Sequence, residues 1–141
     1  MSDCIFCAIV DGEAPSHRVY EDEHTLAFLD ANPLAEGHTL VVPKAHHERL
    51  GDLPPAGAAA VGETLARVTP AVEDAVGAPA TTVAYNNGRA AGQEVPHVHA
   101  HVVPRFESDG AGPVHALFPG GPGGGDLERV AEDVAAELGE A

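Results

Sequence analysis

Three histidines at alternate positions, His97-Val98-His99-Ala100-His101, hold the densest chemistry in the chain. Successive side chains of a strand point to opposite faces, so His97, His99 and His101 share one face, roughly 6.5–7 Å apart, and Val98, Ala100 and Val102 share the other. The valine face reads as core. The imidazole face has three readings. It is a solvated strand face, or a metal site completed from elsewhere in the chain, or a catalytic row, because imidazole is nucleophilic and exchanges protons near neutral pH. In the third reading a neutral imidazole attacks phosphorus, while its neighbours hold the developing charge and deliver a proton to the leaving group. A second cluster lies at Cys4-Ile5-Phe6-Cys7. Two cysteines at this spacing need two more ligands to close a tetrahedral zinc site, and His46, His47 and His97 are the candidates. The competing reading is a pair of reduced thiols in a short helix.

The elements that must position these residues follow from apolar spacing. Cys4 to Val10 reads as a short helix, Arg18–Glu21 and Thr25–Leu29 as strands around a turn at Glu21–His24, and His38–Val42 as a third strand ended by Pro43. Val61, Leu65, Val68, Val72 and Val76 fall on one face of a helix that Pro70 should kink or split and Gly77 should stop. Thr81–Tyr85 and Val98–Val103 complete the strands. Residues 110–125 are dense in Gly and Pro and read as a connecting loop. Asp126 caps a last helix over 126–139, with Leu127, Val130, Val134 and Leu138 on one face. Strands in runs around a helix predict an α+β class with a mainly antiparallel sheet.

The chain has 141 residues, which predicts one domain over 1–141. Seven Lys and Arg against 22 Asp and Glu give a net charge of −15. That field repels nucleic acid and anionic lipid, so neither is expected as a partner. A single lysine among abundant carboxylates and alanines resembles a salt-adapted, halophilic surface. No apolar run approaches membrane-spanning length, the first residues lack the pattern of a signal peptide, and two closely spaced cysteines make a poor disulfide framework. A cytoplasmic location is the expectation.

The run His-φ-His-φ-His-φ-φ resembles the signature of the histidine-triad (HIT) superfamily. Its surroundings, Cys4-Ile-Phe-Cys7, Gly37-His38-Thr-Leu-Val-Val-Pro-Lys44, Gly92-Gln93 and Val103-Pro104-Arg105, resemble the Hint branch. The resemblance implies a HIT-like fold with a five-stranded sheet, a central helix and a C-terminal helix. It implies a hydrolase or nucleotidyl transferase that cleaves a purine nucleoside phosphoramidate or a dinucleoside polyphosphate at the α-phosphate through a covalent nucleotidyl-histidine. The nucleophile would be His99. His101 would contact the phosphate and help the leaving group, His38 would be a fourth imidazole at the phosphate, and His97 would position the nucleophile. Asp30 would hold the ribose, Phe6, Ile9 and Phe28 the base, and Asn86 and Gln93 the phosphate side. Asp30 otherwise reads as a turn former, the apolar residues as plain core, and Asn86-Asn87-Gly88 as a turn. The resemblance completes the zinc site as Cys4, Cys7, His46 and His97, a structural site with no catalytic metal, and implies a homodimer. Gly37 suits a close backbone approach to a ligand. Where many Hint proteins carry serine, this chain has Glu94. A carboxylate is repelled by phosphate, so a nucleotide-binding sensor with little turnover is the alternative, and a hydrolase using the triad as metal ligands is a third class. Glu94 could pair with Arg89 or Arg105, which could also lend the pocket positive charge. His17 and His24 read as solvated.

Overall fold

Two apolar runs, Thr25–Leu29 (β2) and Thr39–Pro43 (β3), are buried along nearly their whole length because both their faces are covered. The computed structural model, which describes residues 3–121 and 123–139, adds Arg18–Glu21 (β1), Ala80–Tyr85 (β4) and Ala100–Arg105 (β5). The strand order is β1-β2-β3-β5-β4, and every neighbouring pair is antiparallel. This is the expected α+β class with a five-stranded sheet. The β1–β2 turn is tied by one side chain: Asp22 Oδ1 accepts from the backbone N–H groups of His24 and Thr25, each at 2.8 Å. Tyr20 Oη donates to the other oxygen at 2.9 Å.

Period-two alternation sorts the sheet into two layers. Ala27, Val41, Ala100 and Val102 pack against Val61, Val68 and Val72 of the long helix α2, Pro55–Val76. Leu26, Phe28, Leu40 and Val42 point the other way and pack against Phe6 and Ile9 of the short helix α1, Ile5–Val10. Leu40 pairs with Phe28 on one side and His101 on the other, so His101 emerges on the α1 face.

Two local expectations are corrected. Helix α2 is not split at Pro70; it continues to Val76 and stops at Gly77 in the left-handed conformation. Pro70 and Ala66 are both exposed, so the carbonyl that loses its helical partner faces water. Strand β5 begins at Ala100 rather than Val98. Its pairing with β3 starts at Ala100–Val41, β3 ends in a proline that has no N–H to offer, and Val98 N–H bonds instead to the His47 carbonyl at 2.8 Å. His97 and His99 therefore lie on the approach to the strand. Gly37 has a φ of +93°, and a Cβ there would come within 2.9 Å of Val76 and 3.3 Å of Pro104. The close approach visible here is to α2 and β5.

The described residues fall into two units, up to Asp109 and from Gly110 onward. In the second, the segment expected as loop contains a 3-10 turn, Val114–Leu117, and Pro122 lies outside the described residues. Helix α3 spans Leu127–Glu137, and Asp126 caps it as expected by accepting from Arg129 N–H.

Candidate active site and metal centre

Backbone partners assign the proton positions of the triad, because a carbonyl oxygen can only accept. His99 Nδ1 lies 2.8 Å from the His97 carbonyl, so Nδ1 carries a hydrogen and Nε2 is the ring nitrogen that this bond leaves over. His97 Nε2 lies 2.8 Å from the Pro43 carbonyl, so Nε2 carries the hydrogen and Nδ1 is free. Leu34 N–H donates to His38 Nδ1 at 3.0 Å. His38 Nε2–H therefore donates to His101 Nδ1, also at 3.0 Å, which leaves the hydrogen of His101 on Nε2. Asp30 Oδ2 stands 3.5 Å from His38 Nε2.

These groups open onto a cavity of about 700 Å³. Helix α1 and strands β2 and β3 give it an apolar wall of Ile5, Phe6, Ile9, Phe28 and Leu40. Phe6 meets Phe28 edge to face at 5.5 Å between ring centroids and His99 at 5.0 Å. Its aromatic surface thus serves core and cavity together. The opposite chemistry comes from Asp30, His38, Asn86, His99 and His101. Burial and the neighbouring imidazoles His99 and His38 push the His101 pKa down to about 4, and burial lowers that of His38 despite Asp30. Both are neutral near pH 7, as hydrogen-bond donation from a neutral imidazole requires.

His97 turns away from the cavity. Its free Nδ1 lies 3.3 Å from Cys4 Sγ, 3.6 Å from Cys7 Sγ and 3.2 Å from His46 Nδ1, and Cys7 Sγ lies 3.3 Å from His46 Nδ1. A tetrahedral zinc with Zn–S about 2.3 Å and Zn–N about 2.0–2.1 Å sets its ligands roughly 3.3–3.8 Å apart. The four atoms converge on that geometry, and the hydrogen bond from His97 to the Pro43 carbonyl orients the ligand ring as such sites require. His47 is outside the cluster.

A family model for the HIT domain matches residues 11–108, about two thirds of the chain. The chain belongs to the HIT family. A HIT-family structure from Bacillus subtilis is 37% identical, with a TM-score of 0.86 over 99% of this chain and 100% of that one. A zinc-bound histidine-triad protein from Mycobacterium smegmatis is 39% identical, with a TM-score of 0.75 over 96% of this chain and 95% of that one. The adenylylsulfatase HINT3 of Arabidopsis thaliana is 42% identical over 77% of this chain and 55% of its own length. The HIT superfamily is one of nucleotide-binding proteins and hydrolases.

Within the HIT site, Phe6, Ile9, Phe28, Asp30, Asn86, His38, His99 and His101 meet at one cavity. Gln93 is absent from that wall. Its side chain accepts from Gly88 N–H at 2.7 Å and donates to the Glu48 and Val95 carbonyls at 2.8 and 3.0 Å, stapling the loop between β4 and β5. Arg89 and Arg105 do not line the cavity, so the positive pocket expected of them is not there. Arg105 binds Asp109 and Thr82, and Glu94 pairs with neither arginine. His17, exposed as expected, also lines the cavity with Pro15 and Ser16, while Leu34 and Leu40 join the wall. Sequence reasoning missed these residues. Leu40 left a signal, since it alternates with Val41 on a strand next to His38; the 15–17 segment left none.

Proposed function

We propose that this protein hydrolyses a purine nucleotide derivative at its α-phosphorus through a covalent intermediate on His99, releasing a nucleoside monophosphate. The observation that carries the reading is the orientation of His99: its Nδ1–H is held by the His97 carbonyl and its ring lies on the cavity wall, which leaves Nε2 as the nitrogen for the nucleophile. The base lies against Phe6, Ile9 and Phe28, and the ribose hydroxyls bond to Asp30. Asn86 and His101 Nε2–H bond to phosphate oxygens, and Gln93 acts by holding the loop that carries Asn86 and Glu94. A bound phosphate anion raises the pKa of His101, whose Nδ1 takes a proton from solvent as its hydrogen bond from His38 gives way. The Nε2 lone pair of His99 then forms a bond to phosphorus as the bond to the leaving group breaks. The leaving atom departs with the His101 proton. Water attacks the nucleotidyl-histidine, returns a proton to His101 and breaks the P–N bond to His99. The reading is tested by mass spectrometry after acid-free quenching with a nucleoside phosphoramidate. The expected result is a nucleotidyl mass on the wild-type protein, and neither adduct nor monophosphate from His99→Ala. Binding without an adduct in the wild type would favour the nucleotide sensor, and turnover that survives the substitution would move the nucleophile elsewhere.

Cys4, Cys7, His46 and His97 hold a zinc ion whose four positions are all taken by protein, so it ties the start of α1 to the loop after β3 and to the segment leading into β5, and takes no part in the chemistry. The donor set and its spacing support this, as does the zinc-bound relative. Metal analysis should find one zinc per chain. Chelation should lower the melting temperature by 10 °C or so, an order-of-magnitude figure for losing a structural metal. A protein that melts identically with and without chelator would rule the site out. Strand β4 joins its counterpart in a second copy to form a homodimer.

A further inference from the structure

We propose that Glu94 selects the leaving group by charge, favouring a departing amine that carries a positive charge over an anionic leaving group. This rests on the hydrolase reading above and adds the leaving-group class to it. No lysine or arginine lines the cavity; its permanent charges are Asp30 and Glu94, both negative. Asp30 is engaged, with one oxygen accepting from Asn32 N–H at 2.8 Å and the other facing His38. Glu94 lines the cavity, is exposed, and its carboxylate has no hydrogen bond or ion pair among the described residues. Its backbone is held on both sides. Gln93 is stapled to Gly88 and Glu48, and the Val95 carbonyl accepts from Gln93 and from His97 N–H. The carboxylate thus projects from a fixed point on the wall.

With the base on the α1 wall, the ribose on Asp30 and phosphorus at His99 Nε2, the leaving group is placed beside Gly92, Glu94 and Val95, the cavity residues of the segment that leads into the triad. An unpaired carboxylate there attracts an ammonium and repels a sulfate or a further phosphate. No lysine or arginine lines the wall to offset the repulsion, and the one proton that His101 takes up is spent on the leaving nitrogen. The bond broken is P–N. The amine nitrogen leaves with the proton from His101, and the distant ammonium that Glu94 recognises is unchanged by the reaction.

The test uses adenosine 5′-phosphoryl compounds that differ in the leaving group alone: ethylenediamine, whose second nitrogen is protonated at pH 7, ethylamine, sulfate, and adenosine diphosphate. kcat/KM is measured for wild type, Glu94→Gln and Glu94→Lys. Wild type should prefer the diamine to ethylamine by about tenfold, the scale of one partly screened charge pair. The preference should vanish in Glu94→Gln and reverse in Glu94→Lys, where the sulfate and diphosphate compounds should each gain about tenfold relative to ethylamine. A diamine-to-ethylamine ratio that neither substitution moves overturns the proposal. If wild type cleaves none of the compounds, the hydrolase reading fails, and titrations with the same uncleaved compounds decide the role of Glu94. A tenfold shift in the ratio of Kd values between wild type and Glu94→Lys supports it, and an unchanged ratio overturns it.

Discussion

His101 pairs with Leu40 across the sheet, faces His99 and accepts from His38, and these three contacts determine its protonation. Burial and the two neighbouring imidazoles bring its pKa to about 4, below the ordinary histidine value of 6.5. The unfolded chain therefore binds more protons than the folded one between those values. Its contribution to stability is complete above pH 6.5 and is lost as the pH falls towards 4. His38, lowered chiefly by burial, acts in the same direction. The melting temperature should accordingly fall between pH 7 and pH 4.5, and by less in His101→Asn, which has no proton to gain; equal falls in the two proteins would contradict this account. At this scale the triad was legible because its chemistry lies in residue type and a spacing of two. The surroundings of Gln93 and Glu94 were not. Adjacent residues face different surroundings, and only the folded loop turns one amide into the scaffold and leaves one carboxylate on the cavity wall.

Gly37 links the loop that holds His38 to the two elements behind it. Its positive φ and the 2.9 Å approach to Val76 both exclude a side chain. Gly37→Ala should destabilise the protein by about 2 kcal/mol, from the left-handed backbone and the contact together. Urea denaturation measures this, and a loss below half a kcal/mol, about the effect of an ordinary surface change, would mean the loop relaxes freely. The sequence marked this glycine as special but could not say what came near it. Pro70 has the same lesson in reverse. A proline predicts a break, yet the exposed side of α2 lets water take the freed carbonyl, while Val61, Val68 and Val72 hold the helix to the sheet. Thr64, absent from the apolar count, is buried and shares a 2.7 Å hydrogen bond with Thr25. A paired hydroxyl fits a core that a hydropathy pattern would deny it.

The two edges of the sheet differ. β1 carries Arg18 and Glu21, charges that discourage pairing, whereas β4, Ala80–Tyr85, has none and leaves Val83 43% exposed. The dimer proposed above uses this edge. Sedimentation should find a dimer for the wild type and a monomer for Val83→Asp, which brings like charges together across the edge; a wild-type monomer would remove the dimer. The same net charge of −15 makes both folding and pairing costly in dilute salt, so the melting temperature should rise between about 0.1 M and 1 M salt, where the screening length shrinks from ~10 to ~3 Å. A fall or no change would separate the acidic surface from any salt adaptation. Among the described residues no helix is long and apolar enough to cross a membrane.

The order of strands and helices, the face on which each core valine lies and the clustering of histidines at alternate positions follow from the sequence by itself, because periodicity and side-chain chemistry are local. The tertiary structure decided which nitrogen of each imidazole is free. Those assignments depend on the carbonyls of Pro43 and His97 and on the N–H of Leu34. It also decided that His97 faces the cysteines while His99 and His101 face the cavity, and that no arginine reaches the cavity wall. Each of these is a contact between residues distant along the chain or around a turn, and no period in the sequence encodes where such partners meet.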